Sequence, residues 1–435
     1  MRNFRITALF AKYIGPFENL SLELKEKNNP DEAEVHVFTG ENGTGKSTIL
    51  YLLTAFPNRH LILPRIQRRY ISDFKIETRY SYFAPYENKE TFHFESIVTK
   101  FVNGQLVHQG NQNTAMQNYY NNVMKGNYQF HKCQFALFAY SGYRRIENST
   151  LSNGIKELET IPLHNALNFN ESIDPTQLLQ WIANIKTKEA LSLAKNDKIK
   201  ADRYKNAIEK IEKAVYQITD LQIKFELEDD PLSVVLRIDK EKLDFGLLPD
   251  GLKSIISWIA DLLMKMDRIQ WEGEVEIFDR NFILLLDEIE VHLHPAWQRK
   301  ILPVIKKLFK NAQIFISTHS PFIVGSVDGA WVYKLKKEGN ISLLDGEPIL
   351  SEDSNSYDTI LEDIFGIRDQ FGVDVTKKLK EFKIIKNKIL TQNLSLNDPN
   401  FVLLVKDLSS QSIELANIIG MEMKQLKRLI GSEQL

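Results

Sequence analysis

The stretch GENGTGKST, running from Gly40 to Thr48, spaces its glycines, lysine and hydroxyls as G-x-x-x-x-G-K-[ST], the pattern that wraps the phosphate chain of a nucleotide. Backbone N–H groups close on phosphate oxygens only where β-carbons do not intrude. Gly40, Gly43 and Gly45 leave that room, and Asn42 and Thr44 are carried on the same loop. Lys46 would reach the β- and γ-phosphates, Ser47 would offer its hydroxyl to Mg2+, and Thr48 would donate to the α-phosphate. Farther along, FILLLDE ends an apolar run on Asp287 and Glu288. Asp287 suits Mg2+ held through water, and Glu288 suits the orienting and deprotonation of an attacking water. AQIFISTHSPF is a second such run and ends at His319, a group able to contact a γ-phosphate and register its loss. Between the two, EVHLHPAWQ alternates His292 and His294, but no cysteine or third ligand stands at zinc-like spacing, so a metal site is the weaker reading there.

This chemistry works only if loop, acids and histidine end neighbouring strands. VHVFT before the glycines reads as a strand and STILYLLTAF after them as a helix, the context a phosphate loop requires. FILLL and QIFIS read as buried parallel strands, being unbroken apolar runs rather than alternating ones. FRITALF and TFHFESIVTKFV point to further strands, and residues 172–218 turn helical, too short and broken for a long coiled-coil arm. IKFELE and SVVLRID return to strand, and LPDGLKS, residues 248–254, precedes the amphipathic run IISWIADLLMKM. After about residue 350 the chain is mostly helical and rich in lysine.

The chain has 435 residues, 43% hydrophobic and 26% charged, with a formal charge of −2, so no global electrostatic pull toward nucleic acid or membrane is expected. DNA contact would have to come from local basic stretches, PRIQRRY (Arg65, Arg68, Arg69) or TKKLKEFKIIKNK, whose lysines most simply form a solvated helix face. The single cysteine, Cys133, excludes an internal disulfide and points to a cytoplasmic setting. MRNFRITALF lacks the apolar core of a signal peptide, and no apolar run approaches the roughly 20 residues that span a membrane.

The ordered set GENGTGKST, LPDGLKS, LLLDEIEVHLHPAWQ and ISTHSP resembles the ABC-type ATPase heads of the SMC, RecF and OLD-like group. With NSYDTILEDIFGI, it looks closest to stand-alone bacterial AAA-family ATPases such as the ATPase subunit of Septu anti-phage systems. The resemblance covers most of the chain. It implies an α/β fold: an ABC-type P-loop head over residues 1–350 with a central mixed or parallel sheet and an antiparallel β subdomain. A helical signature lobe would be inserted at about 172–270, and a helical C-terminal extension would occupy 351–435.

It also implies that two heads pair around ATP and Mg2+, each phosphate loop facing the other head's signature. His292 and His294 then match the interface loop that couples the two sites. LPDGLKS matches the signature loop L-S-x-G through Leu248, Asp250 and Gly251, with Pro249 in place of the serine and Lys253 adding charge. Loss of the serine removes one hydrogen bond to phosphate, worth roughly 1.5–3 kcal/mol. For the loop that usually carries a γ-phosphate glutamine, Gln134 comes too early in CQFALFAYSGYRR, leaving Tyr140, Tyr143 and Arg144 as candidates. The expected function is a dimeric ATPase that regulates a separate nuclease, of HNH type, and cuts no DNA itself. The alternative is a RecF-like DNA-repair clamp; a transport ATPase is disfavoured by the wording of the acidic and histidine motifs.

Overall fold

The computed structural model describes residues 4–27, 29–55, 74–86, 89–102, 105–109, 132–142, 156–158, 161–163, 165–167, 169, 175–229, 232–239, 241–243, 245–367, 371–391 and 394–432. The hairpin β1 (Phe4–Ile14) and β2 (Phe17–Glu23) comes first, then β3 (Glu34–Gly40), which leads through the glycine-rich loop into α1 (Lys46–Leu53). β4 (Lys75–Tyr86), β5 (Lys89–Val102) and β6 (Gln105–Gln109) follow, then β7 (Ala136–Tyr140). The helices α2 (Pro175–Ala194) and α3 (Lys198–Thr219) precede β8 (Ile223–Asp229), β9 (Leu232–Ile238) and β10 (Glu241–Leu243). Next come α4 (Asp250–Arg268), β11 (Phe282–Leu286), α5 (Pro295–Leu308), β12 (Gln313–Ser317) and α6 (Pro321–Val324). The strands β13 (Trp331–Glu338), β14 (Ile341–Leu344) and β15 (Ile349–Leu350) follow.

The central sheet runs β14-β13-β3-β12-β11-β7, with β15 also on β13. From β13 to β7 every pairing is parallel, so these strands all end at one edge. β12 lies between β3 and β11, which sets the histidine run between the glycine-rich loop and the acidic pair. β7, β11 and β12 are buried at every residue, because a parallel sheet is covered on both faces; this is why their sequences are unbroken apolar runs rather than alternating ones.

A second, antiparallel sheet runs β2-β1-β4-β5-β6, and a third, β10-β9-β8, lies within the stretch read as a helical lobe. The first two sheets are joined by a buried polar cluster. Gln313 on β12 exchanges two hydrogen bonds with the backbone of Ile6 on β1, at 2.9 and 2.8 Å. Glu34 accepts from Arg5 Nε at 3.0 Å and from Gln313 Nε2 at 2.8 Å, and His36 Nε2 lies 2.8 Å from the same carboxylate. A buried carboxylate is tolerated only when paired in this way.

In the helical lobe, Asp197 caps α3 through the N–H of Lys200 at 3.2 Å, and α2 and α3 pack on each other and on α4. At 20 and 22 residues these two helices are each about 30 Å long, a stub rather than an arm. α4 is buried at all but a few positions, with Trp258 at its centre.

The chain folds as two compact units, Met1–Ile360 and Leu361–Leu435. The second contains α7 (Val373–Leu390), α8 (Pro399–Gln411) and α9 (Ile413–Ser432) around its own core of Phe382, Ile389, Phe401, Leu408, Ile419 and Leu426.

Candidate nucleotide site

α1 begins at Lys46 and is buried at every residue but Ser47, so the helix presents that hydroxyl to the site while its other side chains anchor it. Gly45, the residue before α1, has φ +99°, and a β-carbon there would stand 2.6 Å from the Phe17 ring; side chain and backbone both require glycine. Lys46 Nζ turns back to donate to the Gly40 and Glu41 carbonyls, each at 2.9 Å. Burial lowers its pKa to about 8, Lys337 adding to the fall, against the pull of Glu288, Asp287 and Glu290. Thr44 donates from N and Oγ1 to Glu41 O, closing the loop on itself. Thr48 is buried, and Asn42 is exposed at the loop's tip.

Opposite lies the end of β11. Ser47 Oγ donates to Asp287 Oδ1 at 2.8 Å, Ser317 Oγ donates to the same oxygen, and Ser317 Oγ accepts the Glu288 N–H at 2.8 Å. The Asp287 N–H goes to Tyr140 O at 2.8 Å, continuing the pairing with β7. Glu288 holds φ +47°, a left-handed conformation rare outside glycine and common where backbone strain serves a site. Gly142 passes close over it, where a β-carbon would stand 3.1 Å from the Glu288 β-carbon.

His319, half-buried beyond β12, is held by its backbone: its N–H donates to Glu290 Oε1 at 2.5 Å. Burial and the Lys46 charge push its pKa below the usual histidine range, against Asp287, so the neutral ring is favoured. Burial pushes Glu290 above the usual carboxylate range, while the His319 N–H and the Thr318 hydroxyl draw it down. Ser320 Oγ donates to Gln298 Oε1 at 2.6 Å, and Gln298 Nε2 donates to Leu293 O at 2.8 Å. The loop after β11 and the loop after β12 are thereby stitched together. Glu290 and Gln298 lie within LLLDEIEVHLHPAWQ and Ser317 within ISTHSP, but their residue types and spacing assign none of them a role; the only signal was their closeness in the chain to Asp287 and His319.

His292 and His294 lie on the exposed turn before α5. His292 has φ +65°, and His294 Nδ1 caps α5 by accepting the Ala296 N–H at 3.2 Å, so its ring has a structural task within the chain. Pro249 starts α4 without a side-chain cap, and Asp250 is exposed. Gly251 is packed within its own chain: a β-carbon there would stand 2.6 Å from His292 O and 3.0 Å from the Trp297 ring. Lys253 Nζ is committed to Gly246 O at 2.6 Å. Tyr140 sends its hydroxyl to Asp261 on α4 at 2.8 Å, which fastens strand to helix. Tyr143, Arg144 and the stretch PRIQRRY lie outside the described residues. The other basic stretch forms α7, where Lys377, Lys380, Lys383 and Lys388 are exposed while Lys378 pairs with Asp407 at 2.7 Å and Lys386 with Glu422 on the neighbouring helices. Among the described residues, no helix is long and apolar enough to cross a membrane.

The arrangement offers a loop shaped for phosphates, hard oxygen donors at Ser47 and Asp287, a carboxylate at Glu288 and a neutral histidine, all at one sheet edge. Residues 127–325 match the family model described as "AAA domain, putative AbiEii toxin, Type IV TA system". The chain is similar to "Retron Ec83 probable ATPase" of Escherichia coli, 30% identical over 174 residues, which is 40% of this chain and 31% of that protein. It is also similar to "Septu protein PtuA" of Bacillus thuringiensis, 32% identical over 111 residues, 25% of this chain and 28% of that one. The chain thus spans less than a third of the length of these two curated relatives. Among solved structures it is similar to the Smc head bound to the C-winged helix domain of ScpA (TM-score 0.47, 12% identity, covering 79% of this chain and 97% of that one). It is similar too to the SMC head domain from Thermotoga maritima (TM-score 0.42, 13% identity, 79% and 99%).

Proposed function

We propose that this chain is an ABC-type AAA ATPase related to those of retron and Septu systems, and that it binds and hydrolyses ATP. Two heads then pair face to face, each phosphate loop sharing its nucleotide with the start of the other head's α4. The observation that carries this reading is the Ser47–Asp287 hydrogen bond, which joins residues 240 apart at the mouth of the loop. Chance glycine-rich turns do not end opposite an acidic pair with a lysine between.

On nucleotide binding Lys46 exchanges two carbonyls for phosphate oxygens. Glu288, set on its strained backbone, takes the proton of the attacking water, and His319 donates or accepts at the departing phosphate. Ser47 and Asp287 fit Mg2+, which prefers oxygen donors and keeps several waters; bound there, it would neutralise phosphate charge.

In this reading the chain is the regulatory subunit of an anti-phage system, and DNA cleavage belongs to a separate nuclease of HNH type. Phosphate release by the purified chain with ATP and Mg2+, and sedimentation with a non-hydrolysable analogue, test the first part. Absence of ATP binding would sink it. Plaque assays with and without a neighbouring nuclease gene test the second. Protection by this chain alone, or DNA cleavage that follows it through repurification and vanishes in a point variant, would overturn the division of labour.

A further inference from the structure

We propose that Lys337, outside all four motifs, is a second phosphate-binding lysine that reaches the β,γ end of the nucleotide from beside the loop. The inference rests on the ATP reading above and names a further binding residue of that site.

β13 runs parallel to β3 and its last pairing with it is Leu335 to Gly40, so the next residues overhang the phosphate loop. Side chains alternate across a strand. Lys337 therefore shares a face with buried Tyr333 and Leu335, while Lys334 and Lys336 point the other way. Those two are engaged with acids: Lys334 with Asp345 at 3.6 Å, Lys336 with Glu338 at 3.1 Å and with Asp345 at 3.3 Å. Lys337 makes no ion pair with any described residue. Its Nζ lies over the loop, where a β-carbon on Gly43 would stand only 2.9 Å away. Glycine at 43 thus keeps open the space this ammonium occupies.

Two ammonium groups approach the same loop, Lys46 at the Gly40 and Glu41 carbonyls and Lys337 over Gly43. Like charges so placed are unfavourable until an anion lies between them. A polyphosphate supplies that anion. A lysine suits the role because it is a compact point charge on a flexible stem and can follow the phosphates as they settle.

The test is competition binding to the full-length chain with Mg2+, comparing AMP-PNP with AMP. Lys337→Ala is expected to weaken AMP-PNP about three- to tenfold, the effect of losing a partly exposed bond to a charged group, and to leave AMP unchanged. Lys337→Glu should weaken AMP-PNP further and Lys337→Arg should restore it, while Lys336→Ala should do nothing. Unchanged AMP-PNP affinity in Lys337→Ala overturns the inference. So does equal weakening of AMP and AMP-PNP, which would mean that Lys337 only supports the loop. A wild-type chain that binds neither nucleotide removes the ATP reading itself and the inference with it, an outcome distinct from both.

Discussion

The end of β11 and the start of α4 present opposite kinds of completeness. At the first, Asp287 takes two serine hydroxyls, Glu288 is pinned through its N–H, and His319 hangs from Glu290: every motif there is fixed by its own head. At the second, Pro249 has no cap, Asp250 is exposed, and Lys253 is spent on Gly246. On the ATP reading proposed above, the hydrolytic half of the site is preorganised within this chain, whereas the start of α4 offers mainly the end of a helix to a paired copy. Effects should therefore be large and local on one side, small and pairing-dependent on the other.

The largest break should come from Glu288→Gln. The amide keeps shape and loses the proton acceptor, so phosphate release should fall about 10²–10⁴-fold with ATP still bound. Turnover near wild type would move the base elsewhere. Next, Lys46→Ala should weaken productive ATP use about 10²–10³-fold, measured by steady-state release, as for removal of a preorganised charge at the transferring phosphate.

A pH series sharpens the same side. With its proton affinity lowered to about pH 8, Lys46 in the free head is mostly neutral above that pH, and ATP binding should weaken by up to about tenfold per unit from pH 8 upward. The sign for folding is opposite. The unfolded chain binds the extra proton between pH 8 and 10.5, so this group's cost to stability shrinks as pH rises through that window, readable as a rising melting temperature of the nucleotide-free chain relative to Lys46→Met.

The smallest effect belongs to the signature. Pro249→Ser should strengthen ATP-dependent pairing by no more than about tenfold, since a regained hydroxyl is offset by a looser turn. Sedimentation reads it, and weaker pairing than wild type would show that the proline itself makes the contact. Gly251→Asp does not isolate that contact, because its side chain would run into His292 O within the same head before meeting any partner.

The glycine-rich loop, the acidic pair and the histidine were legible because each is local: a turn, a strand end and their residue types lie within one stretch of chain. The buried parallel strands were legible as apolar runs for the same reason. Glu290, Gln298 and Lys337 were not, since their places depend on β12 lying between β3 and β11 and on β13 flanking β3. Pairing order is a non-local choice. The resemblance assigns His294 to an interface loop; the structure adds a helix cap, a local task that its position before Pro295 makes legible. Tyr140 could not be assigned from its strand-end position, because its partner, Asp261, is 121 residues away.

The Gln313–Ile6 clasp bears on the order of synthesis. Its two halves are 307 residues apart, so the first sheet to leave the ribosome waits for its support. At ~5–20 residues per second the wait is about 15–60 s. Over that interval β3 also lacks both of its neighbours, since β12 and β13 are both made later, and exposes apolar strand edges. A nascent chain of this kind needs shelter from aggregation until β12 arrives, and a stop just before residue 313 should leave an insoluble product where a stop after residue 360 does not.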